Sequence, residues 1–320
     1  MISANRCSLT RKQKLLAGLN QKDSLGLEIG ALCRPFLLRE DGPVIYVDHA
    51  DTPTLRTKYK DDPAVDVNAI VEVDAVWGAD TLQQALCGKR VDYVVASHVI
   101  EHVPDLIAWL SELRAVLKPG GEVRLIVPDK RFTFDYFREE THIASVLHSN
   151  LIRARVPQPE ILIDYCINVA KVDCASAWRA PLDPFSTERH HDLETALNVA
   201  RDCLENGTYH DVHCWVFSPR SFARLFREMA ELNLIDFACG NFFDTNRNEI
   251  EFFVSLQPSD DKTRTVNSWR QMEADVGDDD PGRAFWKTRR ALRFAITECH
   301  GWSADAPHDV VHPCQSGAIT

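Results

Sequence analysis

Five short apolar runs separated by segments of helical spacing constrain the fold of this chain more than any other feature. The runs lie at residues 25–30, 44–48, 70–73, 92–97 and 122–127. Strands that alternate with helices are typical of βαβ units, whose strands pair in parallel. The sequence therefore predicts an α/β fold built on a doubly wound, Rossmann-like sheet that is mostly parallel.

The clearest predicted helix follows the fourth run and covers residues 104–117. Pro104 suits the first turn of a helix, and apolar residues then recur with helical spacing up to Leu117. The sequence Pro119-Gly120-Gly121 ends this helix and turns the chain into the fifth strand.

The regular alternation is lost over residues 129–212. Within this segment we predict helices at 141–155, 159–171 and 192–206. A helical segment that interrupts a strand–helix series is typical of an insertion. We therefore predict that 129–212 forms a helical cap inserted into the domain made by residues 22–128 and 213–257.

The segment 213–257 is predicted to complete the sheet. Ser218-Pro219 opens a helix, and two strands at 234–243 and 249–257 are expected to form an antiparallel hairpin. With these two, the predicted sheet has seven strands, and the last strand is antiparallel.

The remaining segments are predicted to lie outside the sheet domain. Residues 1–21 are expected to be an N-terminal extension. Residues 258–320 are expected to contain a polar linker up to residue 280, a helix over 281–298, and a mobile tail.

Composition excludes several classes of protein. A formal net charge of −11 disfavours sequence-independent nucleic-acid binding, which depends on Lys and Arg. No apolar run approaches the roughly 18 residues of a membrane span, and no secretory signal pattern opens the chain. The ten cysteines include no C-x-x-C pair. We expect a cytoplasmic protein with reduced thiols, and its oligomeric state is left open.

The stretch 92–106 carries the strongest functional signal, because an apolar strand ends there in polar residues just before a helix. Ser97, His98, Glu101 and His102 follow this strand, at the sheet edge where open α/β sheets bind ligands. The stretch resembles the fourth-strand motif of class I S-adenosylmethionine (SAM)-dependent methyltransferases. The resemblance implies that SAM is the cofactor and that Ser97 and Glu101 bind it.

The first strand ends in an acidic residue two positions before a glycine, Glu28 and Gly30. A dinucleotide fingerprint needs further glycines, and Ala31, Leu32 and Cys33 stand in their place. A carboxylate with one close-approach glycine is better suited to bind the cationic SAM than to bind the anionic pyrophosphate of a dinucleotide. Glu28 and Gly30 are therefore predicted to bind the cofactor.

Two more acidic residues are predicted cofactor ligands. Asp48 ends the second strand, where a carboxylate accepts hydrogen bonds from ribose hydroxyls in doubly wound sites. Asp74 follows the run 70–73, and the family resemblance implies contact with the adenine amino group. Asp51, three residues after Asp48, is instead interpreted as a helix N-cap.

Two histidines are predicted to be catalytic. His98 lies beside the expected methyl-transfer face, where a histidine of near-neutral pKa suits proton removal from an acceptor. Packing of His98 against the cofactor is the alternative, and His102 is interpreted as ordering the turn. His213 resembles the residue that faces the active site before the last helix of the family.

Histidines and aspartates also concentrate at 189–192 and 209–215. Lining of a substrate site, ordinary structural hydrogen bonds and a divalent metal site are three open interpretations of these residues. Their spacing matches no standard zinc motif, so no residue is predicted to be a metal ligand.

The predicted function is methyl transfer from SAM to oxygen or nitrogen of a small, hydroxylated metabolite or sugar. Two alternatives remain. A noncatalytic SAM-binding or scaffold protein would fit the glycine-poor first loop, and a nicotinamide-dependent oxidoreductase would share the fold and Asp48.

Overall fold

Seven strands form one sheet in the computed structural model, which describes residues 9–277 of the chain. The strands are β1 (Gly26–Ile29), β2 (Val44–Asp48), β3 (Ala75–Val76), β4 (Val91–Ser97), β5 (Leu117–Pro128), β6 (Phe237–Phe243) and β7 (Glu251–Pro258).

The strand order across the sheet is β3-β2-β1-β4-β5-β7-β6. The pairs within β3-β2-β1-β4-β5 are parallel, whereas β7 runs antiparallel to both β5 and β6. The predicted doubly wound sheet, with seven strands and an antiparallel last strand, is confirmed. The predicted hairpin between the final two strands is also present.

Helices flank this sheet. The α-helices in the described part of the chain are α1 (Arg11–Leu15), α2 (Thr52–Lys58), α3 (Leu82–Ala85), α4 (Leu106–Val116), α5 (Ile143–Leu151), α6 (Pro159–Asn168), α7 (Cys174–Arg179), α8 (Leu193–Asn206), α9 (Pro219–Glu231) and α10 (Lys262–Asp275).

The central strand β4 is buried on both faces. Val94 and Ala96 belong to a hydrophobic cluster shared with α4, α9 and α10, whereas Tyr93 and Val95 belong to a second cluster that includes Leu15 of α1. Successive side chains of a strand point to opposite faces. The continuous apolar run of β4 is thus explained by helices and loops on both sides.

The third strand lies later in the sequence than expected. The amide of Val71 donates to the carbonyl of Leu32, and the amide of Val73 donates to Oγ1 of Thr52. These residues therefore bond to loops and to α2, and pairing with β2 begins only at Ala75 and Val76. The prediction of a strand at 70–73 is wrong by a few residues.

Residues 129–212, the predicted cap, contain α5, α6, α7 and α8. The helices α5, α6 and α8 fall within the predicted helical stretches, and α7 was not predicted. Leu162 of α6 and Cys203 of α8 are buried against each other. The domain boundaries and the role of this segment as a cap remain predictions.

Both ends of residues 129–212 are tied to the sheet domain. At the start, the amide of Asp129 donates to the carbonyl of Ile250 over 2.8 Å. At the end, the carbonyl of Glu101 accepts hydrogen bonds from the amides of Cys214 (2.6 Å) and Trp215 (3.1 Å). The Trp215 indole also donates to the carbonyl of Val103, 112 residues away in sequence.

The sequence suggested that the polar segment after β7 is a linker. This prediction is wrong, because the segment contains α10. Val266, Trp269 and Met272 are spaced by three residues and are all buried. The Trp269 indole donates to the carbonyl of Phe237 in β6 over 2.8 Å. One apolar stripe thus attaches an otherwise polar helix to the sheet.

The N-terminal extension contains α1, which packs against β7. Lys14 is 4% exposed and forms an ion pair with Glu249. The predicted helix at 281–298 and the predicted mobile tail lie outside the described residues. Across residues 9–277, none of the helices combines the length and apolar character that crossing a bilayer demands.

Candidate active site

The carboxyl ends of β1, β2 and β4 meet at one edge of the sheet because these strands are parallel neighbours. Ile29, Asp48 and Ser97 are their last residues. A 3-10 turn, Ile100–His102, follows β4 at the same edge. Ligands of open α/β sheets bind at such an edge.

The loop after β1 begins with Gly30 in the left-handed region, at φ 68°. A Cβ atom at this position would lie 3.2 Å from Cγ2 of Val99 in the turn after β4. Glycine therefore allows both the turn and the close approach of the two segments.

Glu28 holds this loop through hydrogen bonds to its backbone. It is 2% exposed, and its carboxylate accepts hydrogen bonds from the amides of Phe36 (2.9 Å) and Leu37 (2.8 Å). Burial raises the pKa of Glu28 to about 7, although the two amide donors act in the opposite direction. The carboxylate thus shapes the loop, and its predicted contact with the cofactor remains a prediction.

Asp48 stands at the carboxyl end of β2 and is 8% exposed. Its Oδ1 accepts the amide of His49 (2.7 Å) and lies 2.6 Å from Nδ1 of the same residue. Neither contact involves Oδ2. The carboxylate is thus held in place at the edge of the sheet, and its contact with a ribose remains a prediction.

Asp74 was predicted to follow the third strand. It precedes that strand instead, because β3 begins at Ala75. Its carboxylate accepts hydrogen bonds from the amide of Tyr46 in the middle of β2 and from the guanidinium of Arg39. These contacts hold Asp74 against β2, and its contact with the adenine remains a prediction. The turn that does follow β3 begins at Trp77, whose amide donates to the carbonyl of Asp48, and ends at the exposed Asp80.

Ser97 is the last residue of β4 and His98 follows it, as predicted. Ser97 is paired with Ile126 of β5, and the amide of His98 donates to the Ile126 carbonyl. His98 has a φ of 53°, a conformation that costs a non-glycine residue about 1–3 kcal/mol. Such strain is typical of functional positions.

The His98 ring is fixed by a carboxylate of β7. Its Nε2 lies 2.8 Å from Oε2 of Glu251, and Arg11 of α1 donates two hydrogen bonds to the same carboxylate. Burial acts to raise the pKa of Glu251, but the bonds from His98 and Arg11 outweigh it and hold the pKa below its usual value. Glu251 is therefore an ionised partner for His98.

Glu101 is fully buried, and both of its carboxylate oxygens lack a hydrogen-bond partner among the described residues. Three histidine nitrogens surround its Oε1: Nδ1 of His98 at 3.6 Å, Nε2 of His102 at 4.0 Å and Nε2 of His213 at 4.0 Å. We refer to His98, Glu101, His102 and His213 as the histidine–glutamate cluster.

His213 reaches the cluster from the segment that follows the predicted cap, and it is 6% exposed. Its Nδ1 lies 2.5 Å from Oδ2 of Asp135, which also pairs with the buried Arg138. Burial acts to raise the pKa of Asp135, but its contacts with His213 and Arg138 lower it overall. Asp135 is therefore a charged partner that orients the imidazole.

His102 also lies in the cluster, although sequence reasoning assigned it only to ordering the turn. Its Nδ1 lies 2.9 Å from Oδ1 of Asp211. Burial acts to lower the pKa of His102, but the hydrogen bond with Asp211 and the charge of Glu101 raise it overall. The signal in the sequence was the pair Glu101-His102 itself.

Two other residues of the stretches 189–192 and 209–215, Asp192 and His210, do not join this cluster. Asp192 caps α8, and His210 pairs with Asp202 at 2.8 Å. After β5, Asp129 is fully buried and accepts hydrogen bonds from Arg131 and Thr245. Asp129 is thus part of the protein interior.

A family model described as a methyltransferase domain matches residues 16–236 of this chain. The match begins directly after α1 and extends to the segment before β6, and it includes the histidine–glutamate cluster and the predicted cap.

Curated relatives resemble a shorter part of the chain. A ubiquinone biosynthesis O-methyltransferase of Rhodopseudomonas palustris (strain BisB18) is 34% identical over 106 residues, which is 33% of this chain and 38% of the relative. The protein of the same name from Nitrobacter winogradskyi is 32% identical over 111 residues, covering 35% and 39%. The matches thus span less than half of each relative.

Among solved structures, a SAM-dependent methyltransferase from Methanosarcina mazei is similar to this chain with a TM-score of 0.37 and 17% identity. The alignment covers 75% of this chain and 94% of that protein.

Proposed function

The chain belongs to the class I SAM-dependent methyltransferase family, and from this premise we propose that it methylates an oxygen of a small, hydroxylated acceptor. The family assignment rests on the methyltransferase model that matches residues 16–236. The names of the curated relatives, which match about a third of this chain, specify O-methyltransferases. These names favour oxygen over nitrogen as the methylated atom.

The observation that carries the proposal is the partly exposed His98, held by Glu251 at the carboxyl end of β4. Its side chain is 31% exposed, and its Nε2 is occupied by the Glu251 carboxylate. Nδ1 is therefore the nitrogen that would take the proton from the acceptor. A carboxylate on the opposite nitrogen fixes the tautomer and the orientation of the ring.

The residues at the sheet edge fit SAM. Gly30 brings the loop after β1 close to the turn after β4, and the Asp48 carboxylate stands at the end of β2. We assign Gly30 and Asp48 to cofactor binding, with Glu28 shaping the loop between them. SAM supplies a methyl group on a cationic sulfur.

The proposed roles divide the reaction between two parts of the chain. The sheet edge orients the cofactor, and the histidine–glutamate cluster receives the acceptor hydroxyl. The acceptor oxygen forms a bond to the methyl carbon as the carbon–sulfur bond breaks, and the hydroxyl proton passes to Nδ1 of His98. S-adenosylhomocysteine (SAH) and the methylated acceptor are the products, so atoms and charge balance.

Calorimetric titration with SAM, SAH and NADH is the first test of this function. We expect micromolar binding of SAM and SAH and no binding of NADH. Purified protein is then incubated with methyl-labelled SAM and a panel of phenols, catechols and sugars. SAM binding without transfer to any acceptor would favour a noncatalytic SAM-binding protein, and binding of NADH alone would favour an oxidoreductase.

The role of His98 is tested by His98→Ala. General acid–base catalysis contributes about 10²–10⁴-fold to rates, so kcat is expected to fall by at least about 100-fold while the Kd for SAM stays the same. His210→Ala is the matched control, because His210 also pairs with an aspartate but lies outside the cluster. An unchanged kcat in His98→Ala would remove the assignment.

A further inference from the structure

We propose that Glu101, His102 and His213 bind a divalent transition-metal cation, with Zn²⁺ as the best-matched ion. Their ligand atoms all lie within 4.8 Å of one another. Two imidazoles and one carboxylate form a ligand set that is used for zinc with an open position for water or substrate. The site itself does not depend on methyl transfer, whereas its role in the reaction rests on the proposed function.

The buried carboxylate of Glu101 is the first argument for a cation. A fully buried, ionised carboxylate is costly unless it is paired or coordinates a metal. Neither oxygen of Glu101 has a hydrogen-bond partner among residues 9–277, and the side chain is 0% exposed. A cation among these ligands would satisfy the carboxylate.

The spacing within the cluster is the second argument. The histidine nitrogens lie 3.6–4.0 Å from Oε1 of Glu101, which is too far for a hydrogen bond. Two ligands on one tetrahedral zinc ion, with bonds of about 2.0–2.1 Å, are separated by about 3.4 Å. The nitrogens are thus arranged more like ligands of a shared ion than like hydrogen-bond partners of Glu101.

The carboxylates behind the histidines are the third argument. Nδ1 of His213 contacts Asp135, Nδ1 of His102 contacts Asp211, and Nε2 of His98 contacts Glu251. A histidine that binds a metal almost always donates its other ring N–H to a carboxylate, carbonyl or water. The contact with Asp135 favours the proton on Nδ1 of His213, which leaves its Nε2 lone pair free for a cation, 4.0 Å from Oε1 of Glu101. Nε2 of His102 lies at the same distance from this oxygen.

Charge supports the same conclusion. Four carboxylates contact or belong to the cluster, those of Glu101, Asp135, Asp211 and Glu251, whereas the arginines that pair with them are Arg11 and Arg138. Neutral imidazoles therefore leave an excess of negative charge, which a divalent cation would offset. Protonated histidines would offset it too, and metal analysis separates the two cases.

The cation would serve the proposed reaction by binding the acceptor oxygen at its open position. Coordination to a divalent cation lowers the pKa of a bound hydroxyl, so the proton passes more readily to His98. The oxygen then forms its bond to the methyl carbon as the carbon–sulfur bond breaks. His213 would in this case contact the acceptor through the cation.

Metal content is the decisive measurement. The protein is purified with its affinity tag removed, stripped with a chelator, and reloaded with Zn²⁺, Co²⁺, Mn²⁺ or Mg²⁺. Bound metal is counted by mass spectrometry, and Co²⁺ also reports its ligands through visible absorption. We expect about one Zn²⁺ or Co²⁺ per chain, and a tetrahedral Co²⁺ spectrum.

Variants locate the ion. His213→Ala and Glu101→Gln are each expected to reduce Zn²⁺ affinity at least tenfold, whereas His210→Ala binds it like the wild type. Circular dichroism and thermal unfolding check that each variant is folded, and the stripped wild type provides a readout that needs no substitution. Failure of the reloaded wild type to retain a cation, or equal affinity in folded Glu101→Gln, would overturn the proposal.

SAM titration of the stripped protein separates this site from the proposed function. Cation binding without SAM binding would support the site and overturn the function. SAM binding and methyl transfer by protein that retains no cation would support the proposed function and overturn the metal site.

Discussion

Nδ1 of His213 lies 2.5 Å from Oδ2 of Asp135, a contact that joins residues 78 positions apart in the sequence. Asp135 is 2% exposed and also pairs with Arg138, which is equally buried. The contact fixes the ring so that Nε2 faces Glu101. His213 is thus oriented by the predicted cap as well as by the sheet domain.

Asp135→Asn is expected to weaken the function of His213 without removing the ring. Substitution of a carboxylate behind a metal-binding histidine typically costs about 10–100-fold in metal affinity or activity. We expect a loss of this size in Zn²⁺ affinity, measured by competition with a chelator, and in kcat. Asp202→Asn breaks the equivalent contact of His210 and should change neither quantity.

Asp48→Ala is expected to raise the Kd for SAM at least tenfold, because it removes the carboxylate at the end of β2. Calorimetric titration measures the change. Asp51→Ala is the matched control in the same loop. Asp51 caps α2 by accepting a hydrogen bond from the amide of Thr54, so its loss should lower the free energy of unfolding and leave the Kd unchanged. Equal Kd values in the Asp48 variant and the wild type would remove the ribose assignment.

Glu28 is expected to make the folded protein less stable as pH rises. Its pKa is raised from 4.5 to about 7 on folding, so the folded state holds this proton more tightly than the unfolded state. Between about pH 4.5 and 7 the unfolded chain loses the proton first, and the free energy of unfolding falls by up to about 3 kcal/mol.

Urea unfolding of the wild type and of Glu28→Gln, at pH 5 and at pH 7.5, isolates this effect. Carboxyl groups with lowered pKa, such as those of Asp135 and Glu251, act in the opposite direction but are common to both proteins. The wild type should lose more stability than the variant between the two pH values. A difference between the proteins that is independent of pH would contradict the pKa of Glu28.

Trp269→Ala is expected to destabilise the protein by about 3–5 kcal/mol, since truncation of a buried tryptophan leaves a cavity. Trp269 is 0% exposed and donates to the carbonyl of Phe237. Denaturant unfolding measures the loss, and Arg270→Ala, at the exposed next position, should cost less than about 1 kcal/mol. Similar stability of the two variants would mean that α10 contributes little to the fold.

The sequence predicted most of the sheet because its central strands carry their own signal. β1, β2 and β4 are apolar runs buried on both faces, which need no knowledge of distant contacts to be recognised. β3 has only two residues. The stretch before it, residues 70–73, is more apolar, and the strand was therefore predicted there. Strand positions are therefore least predictable where pairing is shortest.

The helix α10 was missed for a different reason. Its buried residues form a single stripe within a segment that is otherwise polar. Average polarity favoured a linker, and the spacing of Val266, Trp269 and Met272 was the signal that indicated a helix.

The candidate site was predicted only in part. His98, Glu101 and His213 were each identified from local motifs, but nothing in the sequence alone places Asp135 or Asp211 behind a histidine. Such contacts depend on the return of the chain to the sheet after residue 212. The adenine contact of Asp74 stays a prediction, although β3 begins after this residue and not before it.

The attachment of residues 129–212 at both ends has an evolutionary consequence. The carbonyl of Glu101 holds the amides of Cys214 and Trp215, and the amide of Asp129 is bonded to Ile250. The two points at which this segment leaves and rejoins the sheet domain are therefore fixed by backbone contacts, which tolerate changes of side chain. Descendants of this protein can therefore lengthen, shorten or replace the helices between those points without disturbing the sheet edge at which β1, β2 and β4 end.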